Sequence, residues 1–244
     1  MTSPRIRPPE PGTLTRRTLL ASGVAGLLAL TGCAATEIGT PHARTSGRVT
    51  RRPPLPAGSV VAFYGDSLTS GVGASSPSTR WSTLLCERRE WVEVNPSIPG
   101  LGFVQSRGGS DLPADIVDAD PDAILVTLGL DDQLLVDSVP NRVRAAISTD
   151  FQRLRSGAPG ARILVALPLT VYSTPPAQLR TLERWLRASA SAVSAPVIET
   201  SGWLSGRIDL TIDGTHFNDA GQRRIADHMD TAIQAALRGP TAGR

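Results

Sequence analysis

From Ser59 onward the chain alternates short apolar runs with longer segments of helical period, and few folds accept that alternation. Residues 59–64, 91–94, 123–128, 162–167 and 196–199 are predicted strands, several of them apolar on both faces. Such strands must be covered by helices on both sides of a sheet, and parallel strands need helical crossovers to connect them. Between the runs, Val139, Val143, Ile147, Phe151 and Leu154 keep helical spacing, with Ser138 and Pro140 as start signals and Gly157 as a stop. Leu179, Leu182, Leu186 and Ala190 form a second apolar face. A last helix is predicted from Asp219-Ala220-Gly221-Gln222, which has the form of a capping box, through Ile225, Met229, Ala232, Ile233 and Leu237. The expected fold is α/β: a single three-layer α/β/α domain with a mainly parallel, about five-stranded sheet. In such sheets ligands meet the carboxyl ends of the strands.

The first 57 residues follow another pattern. Arg16 and Arg17 precede an apolar run from Leu19 to Leu30 that ends at Leu30-Thr31-Gly32-Cys33. A dozen apolar residues are too few to span a bilayer, which takes about 20, so the run reads as the core of a signal sequence. The ending resembles a bacterial lipobox, in which the cysteine is lipidated and becomes the mature N-terminus. The twin arginines resemble an address for export in the folded state. Residues 1–33 are thus expected to be a signal ending at Cys33, with the mature protein lipid-anchored at the outer face of the cytoplasmic membrane. Residues 34–57 are rich in Pro, Gly, Thr and Arg without an apolar period, as a flexible tether would be, and residues 58–244 form the domain.

Charge divides along the same boundary. The whole chain has 25 basic and 22 acidic residues, but residues 58–244 hold 17 basic and 20 acidic ones. The basic balance therefore belongs to the signal and tether, and the domain, in a chain with 4% aromatics, has no basic stripe or stacking platform for nucleic acid. Cys33 and Cys86 are the only cysteines, so if Cys33 carries lipid no disulfide forms, and Cys86 on an apolar helical face reads as a core thiol.

The first predicted strand runs into Gly65-Asp66-Ser67-Leu68-Thr69-Ser70-Gly71. Gly, Asp and Ser are ordinary turn and capping residues, but a serine presented at a strand's carboxyl end is also where a nucleophile would sit. A serine hydroxyl needs a base, usually a histidine steadied by a carboxylate. Of the three histidines, His42 lies in the tether and His228 inside the last helix, which leaves His216 in Ile212-Asp213-Gly214-Thr215-His216. A tight Asp-Gly turn can fold Asp213 back onto one imidazole nitrogen and leave the other for Ser67. Taken alone, the same residues also suit a turn followed by a buried histidine.

Together these pieces resemble the SGNH, or GDSL, hydrolase family of esterases and lipases, whose fold is flavodoxin-like. Gly65-Asp66-Ser67-Leu68 matches its first block and Asp213-Gly214-Thr215-His216 its last, while Asn95-Pro96-Ser97-Ile98-Pro99-Gly100 looks like the second. The resemblance implies a serine esterase acting on acyl or acetyl esters of a cell-envelope glycan, a lipid or a small molecule. In it Ser67 is the nucleophile, His216 the base and Asp213 the orienting acid, and the N–H groups of Ser67 and Gly100 hold the oxyanion. It implies no metal and no organic cofactor, and a monomer is expected. The third block departs: Leu128-Gly129-Leu130-Asp131-Asp132 places Asp131 where the family has an asparagine whose amide is the third oxyanion donor. Either Asp131 is protonated, or another group substitutes, or turnover is slow. A carbohydrate- or lipid-binding lipoprotein on the same fold is the alternative. Asp66, Trp203 and Tyr172 are the candidate substrate-binding residues, the two aromatics being equally suited to core packing. Gly71 and Gly73 suit either a loop close to substrate or plain turns.

Overall fold

The computed structural model describes residues 53–105 and 108–238. The expected signal, the lipidation site Cys33, His42 and most of the tether lie outside the described residues. Five strands form, β1 Val60–Tyr64, β2 Val92–Val94, β3 Ala123–Val126, β4 Arg162–Ala166 and β5 Val197–Ile198, all parallel and in the order β2-β1-β3-β4-β5. Each lies within the predicted run and is shorter, because ladder pairing ends where the chain turns toward the face of the sheet. β3 is buried at every position, as a strand covered on both faces must be, while β2 at the edge exposes Val92.

Helices cover both faces. α1 (Ser67–Ser70) is one turn after β1, followed by α2 (Trp81–Arg89), α3 (Leu112–Asp118), α4 (Pro140–Gly157), α5 (Ala177–Ala192) and α6 (Asp219–Arg238). α2 packs on α6, and α3, α4 and α5 pack side by side. The predicted apolar faces are the buried ones: Val143, Ile147, Phe151 and Leu154 of α4, Leu179, Leu182, Leu186 and Ala190 of α5, and Ile225, Met229 and Ile233 of α6. Cys86 is a buried free thiol, pushed up to about 12 by burial.

Two local expectations are corrected. Leu55, assigned to the tether, packs against the core, and the Arg162 guanidinium donates to the Pro53 carbonyl, so the ordered domain begins before residue 58. At the start of α6 the cap is Asn218, whose side-chain oxygen accepts the N–H groups of Ala220 and Gly221 at 3.1 Å. Asp219 instead accepts from Ser75 and Thr79 of the loop after α1, and Gln222 bonds Trp81 and Phe217, so the capping-box residues are spent on tertiary contacts.

The chain leaves β1 outward to β2, then crosses to β3 on the other side. That reversal opens a crevice at the carboxyl ends of β1 and β3, the place where doubly wound sheets hold ligands.

Candidate active site

The crevice is built first by the turn that leaves β1. Gly65 is required there because a Cβ would stand 2.4 Å from Thr69 Cβ and 2.5 Å from Thr127 Oγ1. Those two threonines share a hydrogen bond of 2.6 Å beneath the turn. Asp66, in extended backbone, caps α1 by accepting the Leu68 N–H on Oδ1 at 2.9 Å. Ser67 therefore starts the helix with its position fixed from both sides, and it is only 8% exposed. Gly71 closes α1 in left-handed geometry and Gly73 lies against the Phe217 carbonyl, which makes both turn residues.

The second part is the loop before α6. Thr211 bridges Phe217, and the Ile212 N–H donates to the His216 carbonyl at 2.8 Å, pinching the intervening residues into a tight turn. Asp213 Oδ1 accepts the N–H groups of Thr215 (2.9 Å) and His216 (2.8 Å), and Oδ2 lies 2.6 Å from His216 Nδ1. These hydrogen bonds, that of the imidazole foremost, hold the Asp213 carboxyl down at about 2. A carboxylate can only accept, so Nδ1 carries the proton and Nε2 presents a lone pair. His216 Nε2 lies 3.1 Å from Ser67 Oγ. The expected Ser67, His216 and Asp213 are thus brought into one hydrogen-bonded line.

The third part is supplied by the loops after β2 and β3. Among the described residues neither the Ser67 N–H nor the Gly100 N–H has a hydrogen-bond acceptor. Asp131 is half-buried in the 3₁₀ turn Leu130–Leu135, and its carboxyl is raised, by burial first and by Asp132 second, while His216 lowers it. Its charge also acts on Asp66, whose carboxyl is raised to about 7, mainly by burial. Asp66 is 1% exposed and its Oδ2 has no partner. It is a buried cap beneath the serine, and this places the candidate substrate contact below the site and not at its surface.

Sequence reasoning missed Asp132. Fully buried, it accepts the N–H groups of Phe103 (2.5 Å), Val104 (2.9 Å) and Gln105 (3.1 Å), anchoring the loop after Gly100 to the turn that carries Asp131. Its only signal was position, as the residue following the departure at Asp131. Asp219 was missed in the same way, since its role is to tie the loop after α1 to the His216 loop.

A cleft of about 110 Å³ opens beside Asp131, lined by Leu130, Leu134, Leu169, Val171 and Tyr172, with Gly214 and Thr215 on the His216 side. Tyr172, 45% exposed, is part of the lining of this cleft. Trp203 does not: its ring stacks on His228 of α6, 5.1 Å between centroids and 16° from parallel, away from the cleft. Among the described residues no three His, Cys, Asp or Glu side chains are grouped to hold a metal ion.

Residues 63–224 match the GDSL-like lipase/acylhydrolase family. A GDSL lipase of Mycobacterium tuberculosis is 29% identical over 193 residues, which cover 73% of this chain and 83% of that protein. A psychrotrophic esterase from Pseudoalteromonas, solved with monoethylphosphonate as inhibitor, superposes with a TM-score of 0.60 at 20% identity over 73% of this chain and 98% of its own. An acetyl-xylooligosaccharide esterase from Geobacillus does so with a TM-score of 0.58 at 16% identity, over 78% and 98%.

Proposed function

The chain belongs to the GDSL-like lipase/acylhydrolase family, a family of ester hydrolases, and we propose that it cleaves acyl or acetyl esters through Ser67, His216 and Asp213. As Ser67 Oγ attacks the ester carbonyl carbon, His216 Nε2 takes its proton. The carbonyl π pair moves to oxygen, and the resulting oxyanion is held by the N–H groups of Ser67 and Gly100. His216 then returns the proton to the leaving alkoxide, which departs as the alcohol and leaves an acyl-serine. Water, deprotonated by the same nitrogen, releases the acid. Asp213, its carboxyl held down at about 2 by the hydrogen bonds of His216 and Thr215, stays ionised and favours the imidazolium formed in each half.

The observation that supports this reading most is the line from Asp213 Oδ2 to His216 Nδ1 (2.6 Å) and from His216 Nε2 to Ser67 Oγ (3.1 Å). Its members come from two loops 149 residues apart, and no local turn requires them to meet. The substrate is an ester of the cell envelope, met at the outer face of the cytoplasmic membrane where a lipid on Cys33 would hold the domain. The M. tuberculosis relative is a lipase and the Geobacillus neighbour acts on acetylated xylooligosaccharides, and the cleft walls combine Leu130, Leu169 and Val171 with the polar Asp131, Gln133 and Thr170.

Ser67→Ala is the test. Hydrolysis of p-nitrophenyl esters of graded chain length should disappear, a serine-directed phosphonate should label the wild type alone, and stability should stay within about 1 kcal/mol. Equal turnover by the variant would remove Ser67 from the reaction. A wild type without turnover at any pH, but with measurable affinity for acylated glycan or lipid, would establish the binding-protein alternative that Asp131 leaves open.

A further inference from the structure

Among the described residues, six large apolar side chains stand exposed: Val92, Ile98, Leu134, Tyr172, Ile208 and Ile212. Val92 begins β2, at the far end of the sheet. The other five lie on loops that follow the carboxyl ends of the strands, the face that holds Ser67. Leu134 is 82% exposed, Ile208 65%, Ile212 61% and Tyr172 45%, although the fold buries nearly all its other large apolar residues. Leu134 and Tyr172 stand at the walls of the cleft. The Gly206 N–H donates to the Val171 carbonyl at 2.9 Å, joining the loop of Ile208 to that of Tyr172, and the Thr211–Phe217 bridge fixes Ile212 beside Asp213. Leu134, Tyr172, Ile208 and Ile212 thus form an apolar rim on joined loops beside the site. Residues 167–179, the stretch that carries Tyr172, contain no charged residue.

We infer that this rim seats on an uncharged lipid surface, so that an acyl chain passes from the lipid directly into the cleft beside Asp131 and the His216 loop. The inference rests on the esterase reading of the same cleft. Apolar tips on separate turns, with backbone and polar groups between them, suit a fluid surface that closes around each tip better than a rigid protein partner, which needs a contiguous packed centre. Tyrosine is a residue of membrane interfaces, apolar in body and polar at its tip. Charge decides the kind of lipid. Residues 58–244 hold 17 basic and 20 acidic residues, and beside Ile208 the one arginine, Arg207, is ion-paired with Asp209, so the rim offers no unpaired basic cluster to hold an anionic surface and suits a zwitterionic or neutral one. The chain enters the described domain at Pro53, beside Arg162 at the amino end of β4 and so opposite the carboxyl ends that hold Ser67. The 20 residues from Cys33 to Pro53 could span up to about 70 Å at full extension, which exceeds the width of such a domain, about 40 Å. A lipid on Cys33 therefore leaves the catalytic face free to turn onto the same surface.

The test uses the full chain with Cys33→Ser, which removes the acylation site, and places one polarity-sensitive fluorophore on Ile212→Cys or, as control, on Val92→Cys. Cys86, buried and with its thiol pushed up to about 12, stays unlabelled. With phosphatidylcholine vesicles the probe at residue 212 should shift to the blue and lose access to an aqueous quencher, and the probe at residue 92 should do neither. No response at residue 212, an equal response at both positions, or a response to phosphatidylglycerol vesicles alone that salt abolishes would overturn the inference. A response to concentrated protein without vesicles would assign the rim to a second copy and overturn it as well. In a second arm, Ile208→Asn should keep turnover of dissolved p-nitrophenyl butyrate within about twofold while lowering turnover of p-nitrophenyl palmitate in vesicles about tenfold. Equal loss on both substrates, or none on either, would refute it. Ser67→Ala should lose hydrolysis and keep the probe response at residue 212, so failure of the docking inference and failure of the esterase reading give different results.

Discussion

Replacing Asp131 by Asn should speed the enzyme, which is the reverse of the usual effect of mutating an active-site carboxylate. Asp131 is half-buried and electrostatically coupled to His216, Asp132 and Asp66. An ionised carboxylate about 4 Å from the oxyanion costs about 4 kcal/mol at an effective dielectric of about 20. Exposure of half the residue screens most of that and leaves about 1 kcal/mol, a factor of roughly five in rate. The amide of Asn adds a neutral donor, and one oxyanion donor is worth about 10²-fold or somewhat more. At about pH 8, kcat/KM should therefore rise by about 10² to 10³. The sign with pH follows from the raised carboxyl. Below its pKa, Asp131 is neutral and donates its own proton to the oxyanion; above it, the donor is lost and a repelling charge appears. Wild-type activity should thus fall as pH rises through that pKa, whereas the Asn variant should show no such fall. The assay is kcat/KM for p-nitrophenyl butyrate from about pH 5 to 9 in both proteins. An Asn variant no faster than wild type at any pH would refute the oxyanion placement of Asp131.

Asp66 makes a separate prediction about stability. Its native carboxyl, raised by burial from 3.8 to about 7, holds a proton that the unfolded chain has released over that interval, so stability should fall as pH rises through it, by on the order of 4 kcal/mol in all. Asp66→Asn keeps an oxygen for the Leu68 N–H and has no charge, so chemical denaturation should show no such fall; parallel pH profiles for the two proteins would contradict the buried, protonated assignment. For the address, Cys33→Ser should move the mature protein from the membrane fraction to the soluble one, and replacing Arg16 and Arg17 by Lys should block export. Retention of the Cys33→Ser protein on membranes after a high-salt wash would reject lipid anchoring through Cys33.

The alternation of two-faced apolar runs with amphipathic segments was enough to determine the architecture, because a strand buried on both faces needs helices above and below it wherever it pairs. Ser67, Asp213 and His216 were legible for a related reason. Each sits in a turn whose local chemistry leaves a mark, a capping Asp before the serine and an Asp-Gly pair before the histidine. Gly100 and Asp131 could be placed only by resemblance, since nothing local separates them from ordinary loop residues. What the tertiary structure alone decided were contacts made across the sequence. Asp219 and Gln222 have the spacing of a capping box, but Ser75, Thr79 and Trp81 compete for them, and a partner some 140 residues away leaves no trace in local spacing. Trp203 and Tyr172 looked alike as aromatics near strand ends, yet one stacks on His228 and the other lines the cleft, because the next helix covers the first and nothing covers the second. Burial decided Asp66 as well: its role as a cap is local, but its raised carboxyl comes from the strand ends and from Asp131, brought against it only when β1 and β3 pair.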